Sequence, residues 1–236
     1  MRWTPGGVSG DIEDRRDSSG GGGFGGGGVP FGIGGLLVLL VLSFIFKRDL
    51  ISPFLNSGSP GAATVSRPAD PARKAAESRE VQFVSFVLDD AQSDWDKLIP
   101  NYRHAKLVLF RDQTNSPCGQ AGTATGPFYC PGDEKVYLDL GFFDELRNRF
   151  GASGEFAQAY VISHEIGHHV QKILGIERTV RAEQQRNPGA ANQLSVLLEL
   201  QADCLAGVWG NSTEQRNLID QSDIRSEERR VGNECQ

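Results

Sequence analysis

The sequence predicts an α+β domain, because helical and strand-like patterns alternate along its 236 residues. Three stretches carry that expectation. Val81, Val84, Leu88, Ala91, Trp95 and Leu98 recur at helical spacing, with Asp89, Asp90, Asp94 and Asp96 between them. Val136, Leu138 and Leu140 alternate with Tyr137 and Asp139, the period of a strand. Around residues 155–174 runs a largely apolar helical stretch that contains His164-Glu165-Ile-Gly-His168.

The amphipathic helix begins near Ala75 and ends at Pro100, which cannot continue it. Lys106–Arg111 reads as a short strand, Phe142–Phe150 as a short helix, and Gly151–Gly154 as its break. The motif helix runs from about Glu155 to Leu174 and stops at Gly175. A polar, proline-containing connection over Glu177–Ala191 leads to a last helix, about Asn192–Val208.

Upstream, residues 1–30 are glycine-rich and carry a mixed charge run from Asp11 to Asp17. They have little to bury against their ordering entropy, so they read as disordered. Phe31–Phe46 has no charge and is closed by Lys47-Arg48. As a helix it would span about 24 Å, close to a ~30 Å hydrocarbon core, and residues 31–48 read as a transmembrane signal-anchor. Residues 49–74, rich in Pro, Ser, Ala and Gly, read as a flexible linker to a domain over residues 75–210. Basic residues nearly balance at the two ends of residues 31–48, so charge does not set its orientation.

Composition narrows the partners. The formal net charge is −6 and no basic cluster suggests nucleic acid. Cys118 and Cys130 bracket an irregular loop of small residues without C-x-x-C spacing. A disulfide between them is expected, and with it an oxidising compartment, which puts the domain on the extracytoplasmic side.

H-E-x-x-H is a zinc pattern with a mechanical basis. His164 and His168 lie one helical turn apart, about 40° from each other, so two imidazole nitrogens can converge on one ion. Glu165 points to a neighbouring side, where it can reach a water on the metal as general base. Two histidines leave zinc short of a third protein ligand. Glu199 supplies it; Asp203, at i+4 on the same helix, would hold a ligating histidine through its other ring nitrogen. His169 points about 100° away from His168 and reads as a surface or supporting residue. Cys204 reads as a buried free thiol, and His104 has no constellation around it.

From about Glu80 to Trp209 the chain resembles the bacterial neutral zinc metallopeptidases, small single-pass membrane proteins. The likeness rests on Cys118…Gly126-Pro-Phe-Tyr-Cys130-Pro, Val136-Tyr-Leu-Asp-Leu140, His164-Glu-Ile-Gly-His168 and Leu198-Glu-Leu-Gln-Ala-Asp-Cys-Leu-Ala-Gly-Val-Trp209. The resemblance implies a zincin-like fold with a small antiparallel sheet, His164, His168 and Glu199 around Zn2+, and Glu165 as base. It implies a peptide or protein substrate paired along Lys135–Leu140. Residues 211–236 depart from the family pattern as a polar, truncated tail. The expected function is membrane-anchored peptide hydrolysis at a bacterial cell membrane. The rival is a catalytically inactive zinc-binding envelope protein that acts as an interaction module. An intramembrane protease is excluded by Glu155, Gln158, Gln171, Lys172 and Glu177 around the motif helix.

Overall fold

The computed structural model describes residues 1–16, 71–150, 154–220 and 223. The expected anchor at 31–48, most of the linker at 49–74 and the glycine tract of the first 30 residues lie outside them. Among the described residues no helix is long and apolar enough to cross a membrane.

In chain order the elements are β1 (Ile12–Asp14), α1 (Pro71–Leu98), β2 (Lys106–Phe110), β3 (Gln113–Ser116), β4 (Gly119–Gly122), β5 (Phe128–Cys130), β6 (Lys135–Asp139), α2 (Gly141–Phe150), α3 (Glu155–Ile173), α4 (Ile176–Arg186) and α5 (Ala191–Gln215). The architecture is α+β. The sheet is not antiparallel as expected: its order is β1-β2-β6-β5, and only β5 runs against its neighbour. Parallel pairs need a crossover rather than a hairpin. The excursion through β3, β4 and β5 carries the chain back so that β6 enters beside β2 in the same direction. β3 and β4 form a separate two-stranded hairpin.

Alternation explains both cores. Leu107, Leu109, Val136 and Leu138 face α1, where Val84, Val87 and Leu88 have no solvent exposure. Val108, Phe110 and Tyr137 face the other way, onto Ala121, Cys130 and Phe128. Phe128 stacks on Tyr137 with ring centroids 4.9 Å apart. The strands are therefore buried on both faces, which is why Lys106–Phe110 reads as a near-continuous apolar run. A disulfide joins Cys118, in the β3–β4 turn, to Cys130 at the end of β5.

The first sixteen residues correct the disordered reading. β1 lies parallel against β2, with Ile12 opposite Leu107 and Asp14 opposite Leu109. Trp3 packs on Phe83 at 5.3 Å between ring centroids. Glu13 accepts from Lys135 at 2.6 Å, and Asp11 from Lys106 at 2.8 Å. Ile-Glu-Asp has no apolar alternation to announce a strand; backbone pairing and ion pairs make it one, and its charges suit a sheet edge.

Two more expectations change. The Glu177–Ala191 connection contains α4, a helix with no buried residue. It has no apolar stripe to betray it and is supported by pairs such as Arg181–Glu177 at 2.5 Å. The expected tail begins inside the fold: α5 continues to Gln215, Ile219 is buried, and Arg2 N–H donates to the Leu218 carbonyl at 2.7 Å. Arg216 reaches back to Asp90 and Asp94 on α1.

His104 fastens the N-terminal segment to α1. Its Nδ1 meets Asp11 at 2.8 Å and its Nε2 meets Asp96 at 2.9 Å. Burial disfavours the imidazolium, but these two carboxylates outweigh it and raise the His104 pKa. A raised folded-state pKa gives stability that is full below about pH 6.5 and is lost as pH climbs through the folded value. The stability advantage of the wild type over His104→Ala should accordingly shrink as pH rises above about 6.5. Thermal melts of both proteins across that range check it, and parallel curves would refute the bridge.

Candidate metal centre

α3 carries the motif because its inward residues are apolar or small: Ala159, Ile162, Ile166 and Val170 are buried in the core. That burial holds His164 and His168 one turn apart on a rigid element, and Gly167 lets a second helix approach. A Cβ at position 167 would lie 2.9 Å from the Ala202 carbonyl and 3.2 Å from its Cα. The missing side chain is thus what allows α5 to lie directly against α3. Glu199, one turn before Asp203 on α5, is brought under the two imidazoles.

Three donor atoms converge there. One ligand atom each from His164, His168 and Glu199 all fall within 4.8 Å of one another. Glu199 Oε2 is 3.2 Å from His164 Nε2 and 3.4 Å from His168 Nε2. The rings stand nearly perpendicular, 86° apart. Both Nδ1 atoms are used elsewhere, which turns both Nε2 atoms toward the centre. His164 Nδ1–H donates to Asp203 at 2.9 Å, and His168 Nδ1–H donates to the Gln171 side-chain oxygen at 2.9 Å. Gln171 is itself fixed by donating to the Leu198 carbonyl at 2.7 Å and to Gln201 at 3.0 Å. Asp203 also accepts from the Tyr160 hydroxyl at 2.5 Å.

Sequence reasoning had no role for Tyr160 or Gln171. A signal existed: Tyr160 is four residues before His164 and Gln171 three after His168, so both share the ligand face of α3. His169 is not on the surface but fully buried, and Cys204 is exposed rather than buried. Leu197 and Leu200 are exposed, so the apolar setting of Glu199 comes from α3 and not from its own neighbours.

The electrostatics suit a cation. Burial alone would raise the Glu199 pKa, but hydrogen bonds from His164 and His168 hold it down to about 2. Burial opposes charging His164 and His168, yet the carboxylates around them raise both values. Negative charge in excess of what the imidazoles need is what a divalent ion would neutralise. Glu165 is 1% exposed, and burial raises its pKa against the nearby imidazoles. The backbone amide of Tyr129 on β5 lies near enough to oppose that rise. Two imidazole Nε2 atoms, each oriented from behind, and one carboxylate oxygen form a donor set that fits Zn2+.

The family model described as "Putative neutral zinc metallopeptidase" matches residues 1–232. The chain belongs to this family. Among relatives of this metallopeptidase family, the uncharacterized protein YpfJ of Escherichia coli K12 is 43% identical, over 95% of this chain and 79% of its own length. The uncharacterized protein Rv2575 of Mycobacterium tuberculosis H37Rv is 47% identical over 49% of this chain and 38% of its own. No solved structure matches.

The resemblance placed the substrate along Lys135–Leu140, but β6 has β2 on one side and β5 on the other. It has no open edge. β5 is the edge strand, and its Tyr129 brings a backbone amide near Glu165 of α3.

Replacing the contact glycine tests the helix packing. Gly167→Ala should push α3 and α5 apart, destabilise the fold by about 1–3 kcal/mol, and reduce zinc retained after dialysis. Melting temperature and metal content measure the two effects together; full zinc retention would show that the close approach does not set the site.

Proposed function

We propose that the protein is a zinc-dependent metalloendopeptidase. The observation that carries this reading is the convergence of His164 Nε2, His168 Nε2 and Glu199 Oε2 beside the buried carboxylate of Glu165. A zinc ion held by those three residues would supply Lewis acidity, polarising the scissile carbonyl and lowering the pKa of water. Glu165 takes the proton from the attacking water and delivers it to the leaving amine. Burial favours its protonated form, which suits a group that must hold that proton between the two transfers. Asp203 and Gln171 keep both imidazoles oriented, so the nitrogens need no reorganisation during turnover. The peptide lies along the free edge of β5, where backbone hydrogen bonds align it before side-chain pockets select it.

Two features support an extracytoplasmic domain: the Cys118–Cys130 disulfide, which persists in oxidising compartments, and the anchor-like composition of residues 31–48. β1 adds a constraint to the topology. With β1 paired to β2, this reading keeps residues 1–16 and the domain on one face, and residues 31–48 would touch a membrane without a single crossing. Thiol-labelling of a cysteine placed at Ser9 and of Cys204 in intact cells reads this directly. Protection of one with labelling of the other would restore the single-pass arrangement.

Glu165→Gln should keep one zinc per chain and lower turnover of an unfolded protein substrate by at least about a hundredfold. His164→Ala and Glu199→Ala should lose the metal itself, read by elemental analysis. A Glu165→Gln protein that cleaves at the wild-type rate would overturn the mechanism. Wild-type protein with full zinc and no cleavage of any unfolded substrate would favour the interaction-module reading.

A further inference from the structure

The motif here is followed at once by another histidine, so α3 carries two interleaved i, i+4 pairs. His164 and His168 face the metal centre. Glu165 and His169 form the second pair, and both reach one residue, Tyr129 of β5. Its backbone amide lies near enough to Glu165 to oppose the burial-driven rise of that carboxyl's pKa. Its hydroxyl donates to His169 Nδ1 at 3.0 Å. The other ring nitrogen of His169 donates to the Arg103 carbonyl at 2.6 Å, so neither nitrogen is free to turn. His169 has no solvent exposure, and Tyr102 meets its ring edge-on at 5.6 Å. The Tyr129 ring lies 5.4 Å from it. Next along the strand, Cys130 is anchored to Cys118.

We propose that His169 and Tyr129 form a brace that holds the edge strand β5 in register with Glu165. His169 is a positioning residue: it touches neither metal nor substrate and acts through Tyr129. A helix and a strand joined only by apolar contact can slide by a fraction of a residue. The hydrogen bond from the Tyr129 hydroxyl to an imidazole held from behind by the Arg103 carbonyl removes that freedom. The brace therefore sets where a peptide added to β5 lies relative to the base, at the range of about 1 Å where misplacement matters. Its loss weakens productive binding of the peptide more than the chemical step, because the ligands and Glu165 stay on α3.

Tyr129→Phe is the mild test, since it keeps the ring and the backbone N–H and removes only the hydroxyl. With zinc content and melting temperature near wild type, KM for a peptide substrate should rise about tenfold while kcat changes less than about twofold. His169→Ala should lose at least as much, and His169→Asn, which keeps an acceptor near the Nδ1 position, should recover part of it. The Tyr129→Phe, His169→Ala double variant should lose no more than the worse single one. Unchanged KM in Tyr129→Phe, or additive losses in the double variant, would overturn the brace.

The kinetic arm rests on the peptidase reading, so a second arm uses no activity. Hydrogen exchange of the backbone amide at position 129 should be slow in the zinc-loaded wild type. It should be faster by about tenfold in Tyr129→Phe and in His169→Ala. Exchange unchanged by both substitutions would refute the brace whether or not the protein cleaves peptides. Accelerated exchange in a protein that cleaves nothing would keep the brace and refute the peptidase.

Discussion

The candidate metal centre depends on the distance between two helices. α3 can offer two imidazoles and α5 one carboxylate, but neither helix makes a three-donor site alone. They meet because residue 167 has no side chain, so the Ala202 backbone can occupy the space a Cβ would fill. That contact places Glu199 within 3.2 and 3.4 Å of the two Nε2 atoms. It also sets Asp203 behind His164. The packing of the rest of the domain makes this approach rigid: α3 is pressed against the sheet and α1, and Trp209 near the end of α5 donates to Asp90 of α1 at 2.8 Å.

Charge is arranged in layers around that contact. Glu199 faces both imidazoles, Asp203 and Gln171 fix them from behind, and Tyr160 and Gln201 fix the fixers. Each buried polar group in this set has a partner, which is the condition for keeping carboxylates and imidazoles inside a helical core. Glu165 differs in its neighbour, which comes from another element. The backbone amide of Tyr129 on β5 lies beside it, so the sheet edge and the motif helix meet at the residue assigned to proton transfer. The disulfide at Cys130 stiffens the same strand from its other end.

The N-terminal segment changes the boundaries of the domain. A unit starting at α1 would leave β2 with an open edge, whereas β1 covers it and draws Asp11, Glu13 and Trp3 onto the surface of the domain. The final turn of α5 and residues up to Asp220 close the same side through Arg2 and Arg216. Sequence distance is a poor guide here, because Met1 and Arg2 meet Leu218, Asp220 and Asp223.

The sequence by itself determined the elements whose residues repeat with a clear period and the residues whose chemistry admits few readings. The amphipathic helix of α1, the alternating strand β6, the motif helix and the Cys118–Cys130 pair were all legible, because burial imposes periodicity and metal ligation demands particular side chains at helical spacing. Glu199 was legible for the same reason, as a carboxylate four residues before another on a helix that follows the motif. Tertiary structure alone decided the rest. β1 and α4 have no apolar pattern, so their existence depends on backbone pairing and ion pairs with partners distant in sequence. The sheet became mixed because the path of the connection, not the composition of its strands, sets their direction. His169 was left between a surface and a supporting role because helical angle says which way a side chain points but not what waits there, and only the placement of β5 across α3 put Tyr129 within its reach.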